Sequence, residues 1–172
     1  VGGKTAINIP AGKNLIGAFY NPSGVIIDTT VLNSLSARQL HAGLAEVIKY
    51  GFIQNKYLLS LLSKHTDKIL VREHRIIEEI IFESIKTKAK IVTKDEKETG
   101  VRALLNFGHT FGHAIEASGK YKKILHGEAV AKGMLIASKI SLLEGLLTES
   151  EVTTINDLLL AYNFDLDLSG YK

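Results

Sequence analysis

The sequence predicts a mainly α-helical protein, in which a multi-helix domain carries a short, strand-containing annex at its N-terminal end. Alternation of apolar and polar residues with a period near two is confined to the first 35 residues, and from residue 36 onward apolar residues recur at helical spacing. A chain of 172 residues with 45% hydrophobic content can bury one ordinary core. We therefore expect a strand-rich part at residues 1–35 and a helical domain at residues 36–172.

The annex contains three short extended segments, at residues 5–9, 15–19 and 25–28, with turn clusters at residues 10–12 and 21–24 between them. Three short strands make a poor core on their own. We therefore expect them to complete an α/β sheet whose other strands lie outside this chain. The opening Val-Gly-Gly-Lys, without an initiator Met, also indicates a fragment or a processed product.

Six helices are predicted in the remainder. Ser36 is a suitable N-cap for the first helix, and Thr148-Glu149-Ser150-Glu151 is a capping box for the last. The six helices are expected at residues 36–51, 57–70, 75–93, 109–117, 127–144 and 148–162.

Composition and charge exclude several classes of protein. The net charge is +3, but carboxylates stand among the cations, as in residues 94–98, and this pattern is typical of a solvated surface, not of a nucleic-acid stripe. No apolar run approaches the roughly 20 residues of a membrane span. The chain has no cysteine, so a zinc ion would need His, Asp or Glu ligands. A chain without cysteine also fits a reducing, cytoplasmic location.

Histidines and a carboxylate form the candidate metal site. His109 and His113 are four residues apart on a predicted helix, and His126 follows at the entry to the next. Glu46, in an apolar stretch where an unpaired carboxylate would be costly to bury, is the best acidic candidate. Spacing alone favours His109 and His113 as joint ligands and leaves two other carboxylates open, Glu116 and Glu128. The alternative is that the histidine pair is simply two polar residues on a helix face.

Cations are unusually frequent in segments that otherwise look buried or tight. Several of them near a divalent metal would suit a multiply anionic substrate, such as a phosphorylated acid. The residues concerned are Lys4, Lys13 with Asn14, Lys49, Lys88, and Arg102 with Asn106. Three further histidines have no candidate ligands or cations of this kind near them in the sequence, and we interpret them as surface or capping residues: His41, His65 and His74.

Several segments, in order, resemble the 3-dehydroquinate synthase family of sugar-phosphate cyclases, from the first residue to about residue 143. They are residues 2–5, 12–19, 45–51, 94–100, 105–114 and 125–130. Two positions depart from the family pattern. Ser36 stands where many members have Pro, and Gln39 stands where a Glu is common near the cofactor.

The resemblance implies a role for each candidate residue. Glu46, His109 and His126 would be the zinc ligands, and His113 would line the substrate site and help to move protons. The implied substrate contacts are Lys4, Lys13, Asn14, Lys49, Lys88, Arg102, Asn106 and His113, and of these Lys49, His113, Lys88, Arg102 and Asn106 would serve catalysis. The implied NAD contacts are Lys4, Lys13, Val31, Leu32, Asn33 and Ser34.

The resemblance also implies a function. The family members are NAD- and zinc-dependent lyases, with Co²⁺ as an alternative metal, that convert 3-deoxy-D-arabino-heptulosonate 7-phosphate to 3-dehydroquinate and phosphate in the shikimate pathway of aromatic amino-acid biosynthesis. The expected protein is a cytoplasmic homodimer that binds neither nucleic acid nor membranes. Because the Gly-rich NAD-binding half would precede residue 1, this chain alone is expected to be inactive. The alternatives are a related cyclase, such as 2-deoxy-scyllo-inosose synthase, and a non-catalytic helical metal-binding module.

Overall fold

The computed structural model describes residues 2–118 and 124–170, and it confirms a mainly helical fold with a small N-terminal sheet. Two 3-10 helices, Thr29–Ser34 and Val101–Asn106, precede α1 and α5. The other elements, in chain order, are β1 (Lys4–Ile9), β2 (Gly12–Phe19), α1 (Ala37–Ile53), α2 (Lys56–Lys64), α3 (Thr66–Leu70), α4 (His74–Lys94), α5 (His109–Ser118), α6 (His126–Leu143) and α7 (Glu149–Ala161). None of the described helices is both long and apolar enough to cross a membrane.

The N-terminal sheet is a single antiparallel hairpin. β1 and β2 pair from Lys4 opposite Phe19 to Ile9 opposite Gly12, so the first two predicted strands are confirmed. The third predicted strand, at residues 25–28, is wrong: these residues form no strand, and Ile26 is 99% exposed. An extended apolar segment becomes a strand only where another edge can satisfy its backbone groups. Among the described residues, β1 and β2 pair only with each other, and residues 25–28 join neither of them.

Ser36 caps α1, as the sequence predicted, and it does so within a capping box. Ser36 Oγ accepts a hydrogen bond from the backbone N–H of Gln39 at 3.3 Å, and Gln39 Oε1 accepts one from the backbone N–H of Ser36 at 3.3 Å. The two departures from the family pattern therefore form one local motif. The same arrangement joins Thr148 and Glu151 at the start of α7.

The helix predicted at residues 57–70 is divided into α2 and α3 at His65. The backbone carbonyl of Leu62 accepts hydrogen bonds from the hydroxyls of Thr66 and Tyr162, both at 2.9 Å. Hydroxyl groups that bond to a helical carbonyl commonly bend a helix, and these two contacts lie near the point where α2 ends and α3 begins. His65 lies at the junction, consistent with its interpretation as a capping residue.

The core lies between α1, α2, α4, α6 and α7. The inward face of α1 carries Leu40, Leu44 and Ile48, at helical spacing. Met134 of α6 and Tyr162 after α7 are completely buried against the same cluster. Because α1 and α6 both line this core, their relative position is fixed, and the candidate site lies between them.

Candidate metal and anion-binding site

Helix α1 presents a carboxylate and an ammonium group on one face. Glu46 and Lys49 are three residues apart and so project side by side, and Lys49 Nζ lies 2.5 Å from Glu46 Oε2. Lys49 is only 3% exposed. Burial lowers the pKa of Lys49, and the neighbouring Glu46 opposes that effect.

Glycines bring α6 into very close contact with α1 and α5. A Cβ on Gly127 would lie 1.8 Å from the carbonyl oxygen of Ala42 in α1, and a Cβ on Gly133 would lie 2.0 Å from the carbonyl oxygen of Gly108. Gly108 also has a φ of +80°, which glycine adopts at little cost. The sequence pattern alone gave these glycines no structural role. The placement of Gly108 and Gly127 directly beside His109 and His126 is the signal that could have identified two of these contacts.

The three helices bring Glu46, His109 and His126 together. His109 Nε2 is 3.2 Å from Glu46 Oε1, and His126 Nε2 is 3.6 Å from the same oxygen. One ligand atom from each residue lies within 4.8 Å of the other two. Two imidazole nitrogens and one carboxylate oxygen form a ligand set that catalytic zinc sites use, with a fourth position left for a substrate. The donor set therefore fits a divalent ion.

Glu46 is ionised at this junction. Burial alone would raise the pKa of its carboxyl group, but hydrogen bonds from His109 and His126, together with Lys49, hold that pKa well below its usual range. Its two oxygens face different partners, because Oε1 lies near both imidazoles and Oε2 lies near Lys49. A metal bound by these residues would thus use Oε1, while Lys49 would hold Oε2.

His113 and Glu116 lie beside this group on α5. The ring of His113 is 5.5 Å from that of His109 and 5.8 Å from that of His126, measured between centroids. Glu116 Oε2 is 3.0 Å from His126 Nδ1. His113, Glu116 and His126 form a second group whose ligand atoms lie within 4.8 Å of one another. His109 and His113, which spacing favoured as joint ligands, therefore fall in different groups.

Glu128, which spacing also left open as a ligand, is engaged elsewhere. Arg38 approaches it with two nitrogens, Nε at 2.5 Å from Oε1 and Nη2 at 2.7 Å from Oε2. The backbone N–H of Leu125 donates to Oε2 at 2.8 Å. This carboxylate links the starts of α1 and α6 and belongs to neither group of described residues that could hold a metal ion.

Arg102 and Lys88 lie together next to the N-terminal segment. Arg102 is 2% exposed, and its guanidinium donates to the carbonyl oxygens of Gly2 at 2.9 Å and Glu96 at 2.5 Å. A Cβ on Gly2 would lie 3.3 Å from Arg102 Nη2 and 3.6 Å from Lys88 Cε. The charge of Lys88 also contributes to the lowered pKa of Lys49. Of the predicted cations, Arg102 and Lys88 thus lie beside the same residue, Gly2, and Lys88 is near enough to Lys49 to affect its pKa.

The acidic segment at residues 94–98 begins at the last residue of α4, and Lys94, Glu96 and Lys97 are exposed there, as expected of a solvated surface, whereas Asp95 and Glu98 are half-buried. Asp95 accepts backbone hydrogen bonds that include those of Gly100, at 2.7 Å, and Arg102, at 2.9 Å. Glu98 forms an ion pair with Lys4 and accepts a hydrogen bond from Asn106 Nδ2 at 2.9 Å. Glu98 is a member of the site that charge pattern alone did not identify. Its position within a family-like segment was the available signal.

The predicted cofactor contacts at residues 31–34 lie in the 3-10 helix Thr29–Ser34. Arg72 holds this helix, donating to the carbonyl oxygens of Asn33 at 3.3 Å and Leu35 at 2.6 Å. Lys13, a predicted cofactor and substrate contact, and Asn14, a predicted substrate contact, belong to β2, but their side chains lie outside the described part of the structure.

Comparison with known proteins gives consistent matches. The family model described as 3-dehydroquinate synthase C-terminal matches residues 43–172, and the one described as 3-dehydroquinate synthase N-terminal matches residues 1–42. The chain is 51% identical to the 3-dehydroquinate synthase of Dictyoglomus thermophilum, over 99% of this chain and 50% of that protein. It is 50% identical to that of Colwellia psychrerythraea, over 100% of this chain and 48% of that protein. The chain thus spans about half the length of the curated relatives that it matches.

Two solved structures share the fold. One is the 2-epi-5-epi-valiolone synthase of Streptomyces hygroscopicus subsp. jinggangensis with NAD⁺ and Zn²⁺ bound, which has a TM-score of 0.88 and 28% identity over 100% of this chain and 48% of that one. The other is a 2-deoxy-scyllo-inosose synthase complexed with carbaglucose-6-phosphate, NAD⁺ and Co²⁺, with a TM-score of 0.82 and 32% identity over 97% of this chain and 45% of that one.

Proposed function

Because this chain belongs to the 3-dehydroquinate synthase family, we propose that it is the metal- and substrate-binding part of an enzyme that converts 3-deoxy-D-arabino-heptulosonate 7-phosphate to 3-dehydroquinate and phosphate. The observation that carries the proposal is the convergence of Glu46, His109 and His126 beside a group of cations. The same three residues are the metal ligands that the resemblance implies. We further propose that the complete enzyme is a cytoplasmic homodimer that binds neither nucleic acid nor membranes.

Glu46, His109 and His126 would hold the metal. Zn²⁺ and Co²⁺ are the candidate ions, since one of the two solved relatives contains Zn²⁺ and the other Co²⁺. When bound, such an ion acts as a Lewis acid that lowers the pKa of a coordinated hydroxyl and orients the substrate. Lys49 supports this shell because it offsets the charge of the one carboxylate ligand. The site then keeps a net positive charge, which favours an anionic substrate.

The cations would bind the carboxylate and phosphate groups of the substrate. Lys49 and Lys88 offer compact ammonium groups, and Arg102 offers a planar fork of donors that matches a carboxylate or phosphate. The two carbonyl contacts of Arg102 involve two of its five N–H donors. The other proposed substrate contacts are Lys4, Lys13, Asn14, Asn106 and His113.

His113 would take part in proton transfer during phosphate elimination and ring closure. It lies next to both histidines of the metal group but is not a member of that group. An imidazole at this distance can accept or donate a proton near neutral pH without displacing a ligand.

NAD would contact Lys4, Lys13 and the residues Val31 to Ser34, and it would supply the redox chemistry. Both solved relatives hold NAD⁺. Isothermal titration of NAD into the full-length polypeptide that carries this sequence tests the proposal. The absence of binding there would contradict it.

Substrate turnover tests the reaction itself. The full-length polypeptide, loaded with Zn²⁺ and NAD, should release phosphate from 3-deoxy-D-arabino-heptulosonate 7-phosphate and leave glucose 6-phosphate unchanged. The reverse result would favour an enzyme like 2-deoxy-scyllo-inosose synthase, to which the chain is 32% identical. Metal binding without turnover of either compound would favour a non-catalytic module.

A substitution tests the metal shell. His109→Ala should remove zinc and turnover together, because His109 supplies one of the three ligand atoms. His74→Ala is the control, since His74 is exposed on α4 beside Glu78. Stoichiometric zinc retained in the His109→Ala protein would rule out the proposed shell.

A further inference from the structure

Glu116 is a nearly buried carboxylate beside the metal group. It lies in α5 and is only 3% exposed, and an ionised carboxylate at such a position is costly unless hydrogen bonds satisfy it. Its Oε2 lies 3.0 Å from Nδ1 of His126, at the first turn of α6. Glu116 and His126 therefore connect two helices through an imidazole that also faces Glu46.

The two histidines of the metal group share one orientation. In each, Nε2 lies near Glu46 Oε1, at 3.2 Å for His109 and 3.6 Å for His126. In each, Nδ1 lies near an acceptor, which is the carbonyl oxygen of Phe107 at 3.3 Å for His109 and Glu116 at 3.0 Å for His126. A proton on Nδ1 leaves the Nε2 lone pair available to a metal, so the acceptor beyond the ring decides which nitrogen can bind.

His126 depends on its acceptor more than His109 does. The side chain of His109 is 16% exposed, whereas that of His126 is 44% exposed. Packing therefore restrains the His126 ring less, and the hydrogen bond must supply the missing restraint.

We infer that Glu116 is a positioning residue, which accepts the Nδ1–H of His126 and so fixes this ring with Nε2 directed at the metal. The inference rests on the proposed function, since it assigns Nε2 to the shell formed with Glu46 and His109. It gives a role to a carboxylate that the spacing of residues had left open as a direct ligand.

The competing arrangement makes Glu116 a ligand. His113, Glu116 and His126 could hold an ion by themselves, and His126 would then bind it through Nδ1. In that arrangement Glu116 and His113 would be as important for metal binding as Glu46 is in the arrangement we infer. The two arrangements therefore predict different rankings of the same variants.

The experiment measures zinc dissociation constants for variants of the full-length polypeptide by competition with a chelator. Glu116→Ala should weaken zinc binding by roughly 10- to 100-fold, as loss of such outer partners typically does. Glu116→Gln should weaken it less, because the amide oxygen still accepts the Nδ1–H. His113→Ala should bind zinc like the parent, and Glu46→Gln should lose the most. The visible spectrum of bound Co²⁺ should be unchanged in Glu116→Gln, because the ligands are the same.

Two results would overturn the inference. If Glu116→Gln and His113→Ala lose zinc as completely as Glu46→Gln does, then Glu116 is a ligand. If the Glu116→Ala variant binds zinc as tightly as the parent does, then Glu116 does not position His126 for metal binding.

A second measurement stands apart from metal binding. Nitrogen-15 NMR of the metal-free Glu46→Ala protein with labelled histidines, at a pH where the rings are neutral, should show His126 with its proton on Nδ1, because Glu46 no longer competes for that proton from the Nε2 side. Replacing Glu116 by alanine as well should shift this proton toward Nε2. A Glu46→Ala protein with the proton on Nε2 of His126 would refute the inference even if the metal proposal were correct. A proton on Nδ1 in Glu46→Ala, together with a parent protein that binds no zinc, would refute the metal proposal alone.

Discussion

Replacing Gly127 by alanine tests the close approach of α6 to α1. The added Cβ would lie 1.8 Å from the carbonyl oxygen of Ala42, where 3.4 Å marks the start of ordinary contact. The next atoms, at 2.5 and 2.7 Å, also belong to the Ala42 backbone, so no side-chain rotation can relieve the overlap. The helices must separate by roughly 1.5 Å, and overpacking of this kind costs about 1–3 kcal/mol or more. We expect the free energy of unfolding to fall by about 3 kcal/mol.

The same separation would open the metal group. His126 Nε2 and Glu46 Oε1 are now 3.6 Å apart. Zinc holds nitrogen and oxygen ligands at about 2.1 Å, so two ligand atoms of one ion can be at most about 4.2 Å apart. Moving α6 away from α1 by roughly 1.5 Å would exceed that limit. Zinc affinity should therefore fall together with stability.

Urea denaturation and chelator competition measure the two effects, and Gly43→Ala is the matched control. Gly43 lies in α1, and no heavy atom lies within 4 Å of the position that its Cβ would take. Alanine there should raise the free energy of unfolding by about 0.5–1 kcal/mol and leave zinc affinity unchanged. If Gly127→Ala matched the parent in both measurements, the reasoning from close helix contact would be refuted.

Three further predictions concern other parts of the fold. Tyr162→Phe removes a hydroxyl that donates to a backbone carbonyl of α2 at 2.9 Å, and urea denaturation should show a loss of about 1 kcal/mol. Arg72→Met removes the donors that hold Thr29–Ser34, so amide exchange there should be faster while zinc affinity is unchanged. The backbone N–H of Arg102, first among several donors, lowers the pKa of Asp95. Because the pKa of Asp95 is lower in the folded state than in the unfolded state, its stabilising effect is complete above the ordinary aspartate pKa and is lost as pH falls through the folded-state pKa. Amide protection at residues 99–102 should therefore fall over the same pH range.

Each of these has a control at an exposed position. Tyr20→Phe should leave stability nearly unchanged, Arg75→Met should not change exchange at residues 29–34, and Asp157→Asn should leave protection at residues 99–102 unaltered. A Tyr162→Phe protein as stable as Tyr20→Phe would show that the hydroxyl contact contributes nothing. Unchanged exchange in Arg72→Met, or acid-independent protection at residues 99–102, would contradict the other two predictions.

Helices whose signals are local were predictable from the sequence. Ser36 and Thr148 each begin a helix through a capping box, and the groups involved lie within three residues of one another. The division between α2 and α3 was not predicted, and one of the two hydroxyls that contact the Leu62 carbonyl near it belongs to Tyr162, 100 residues away, which local sequence does not reveal. The strand expected at residues 25–28 failed for a related reason, since pairing depends on a partner edge that local sequence does not describe.

The candidate site could likewise be predicted from the sequence only in part. Sequence reasoning identified His109 and His113 as neighbours, which they are, and it named His126 and Glu46 as candidates, but it could not decide which of these residues share an ion, because helix packing decides those distances. The family resemblance named Glu46, His109 and His126, and their geometry is compatible with that ligand set. Their roles and the division at residues 35 and 36 stay predictions.

The three groups that face one another at the metal position come from distant parts of the chain, at residues 46, 109 and 126. The loops between them must close before these groups meet, at an entropic cost that the hairpin of β1 and β2 avoids with its tight connection. Zinc uptake should therefore report a late stage of refolding, after most helical structure has formed. Circular dichroism and zinc uptake, followed during refolding from urea, should then give two separate time courses.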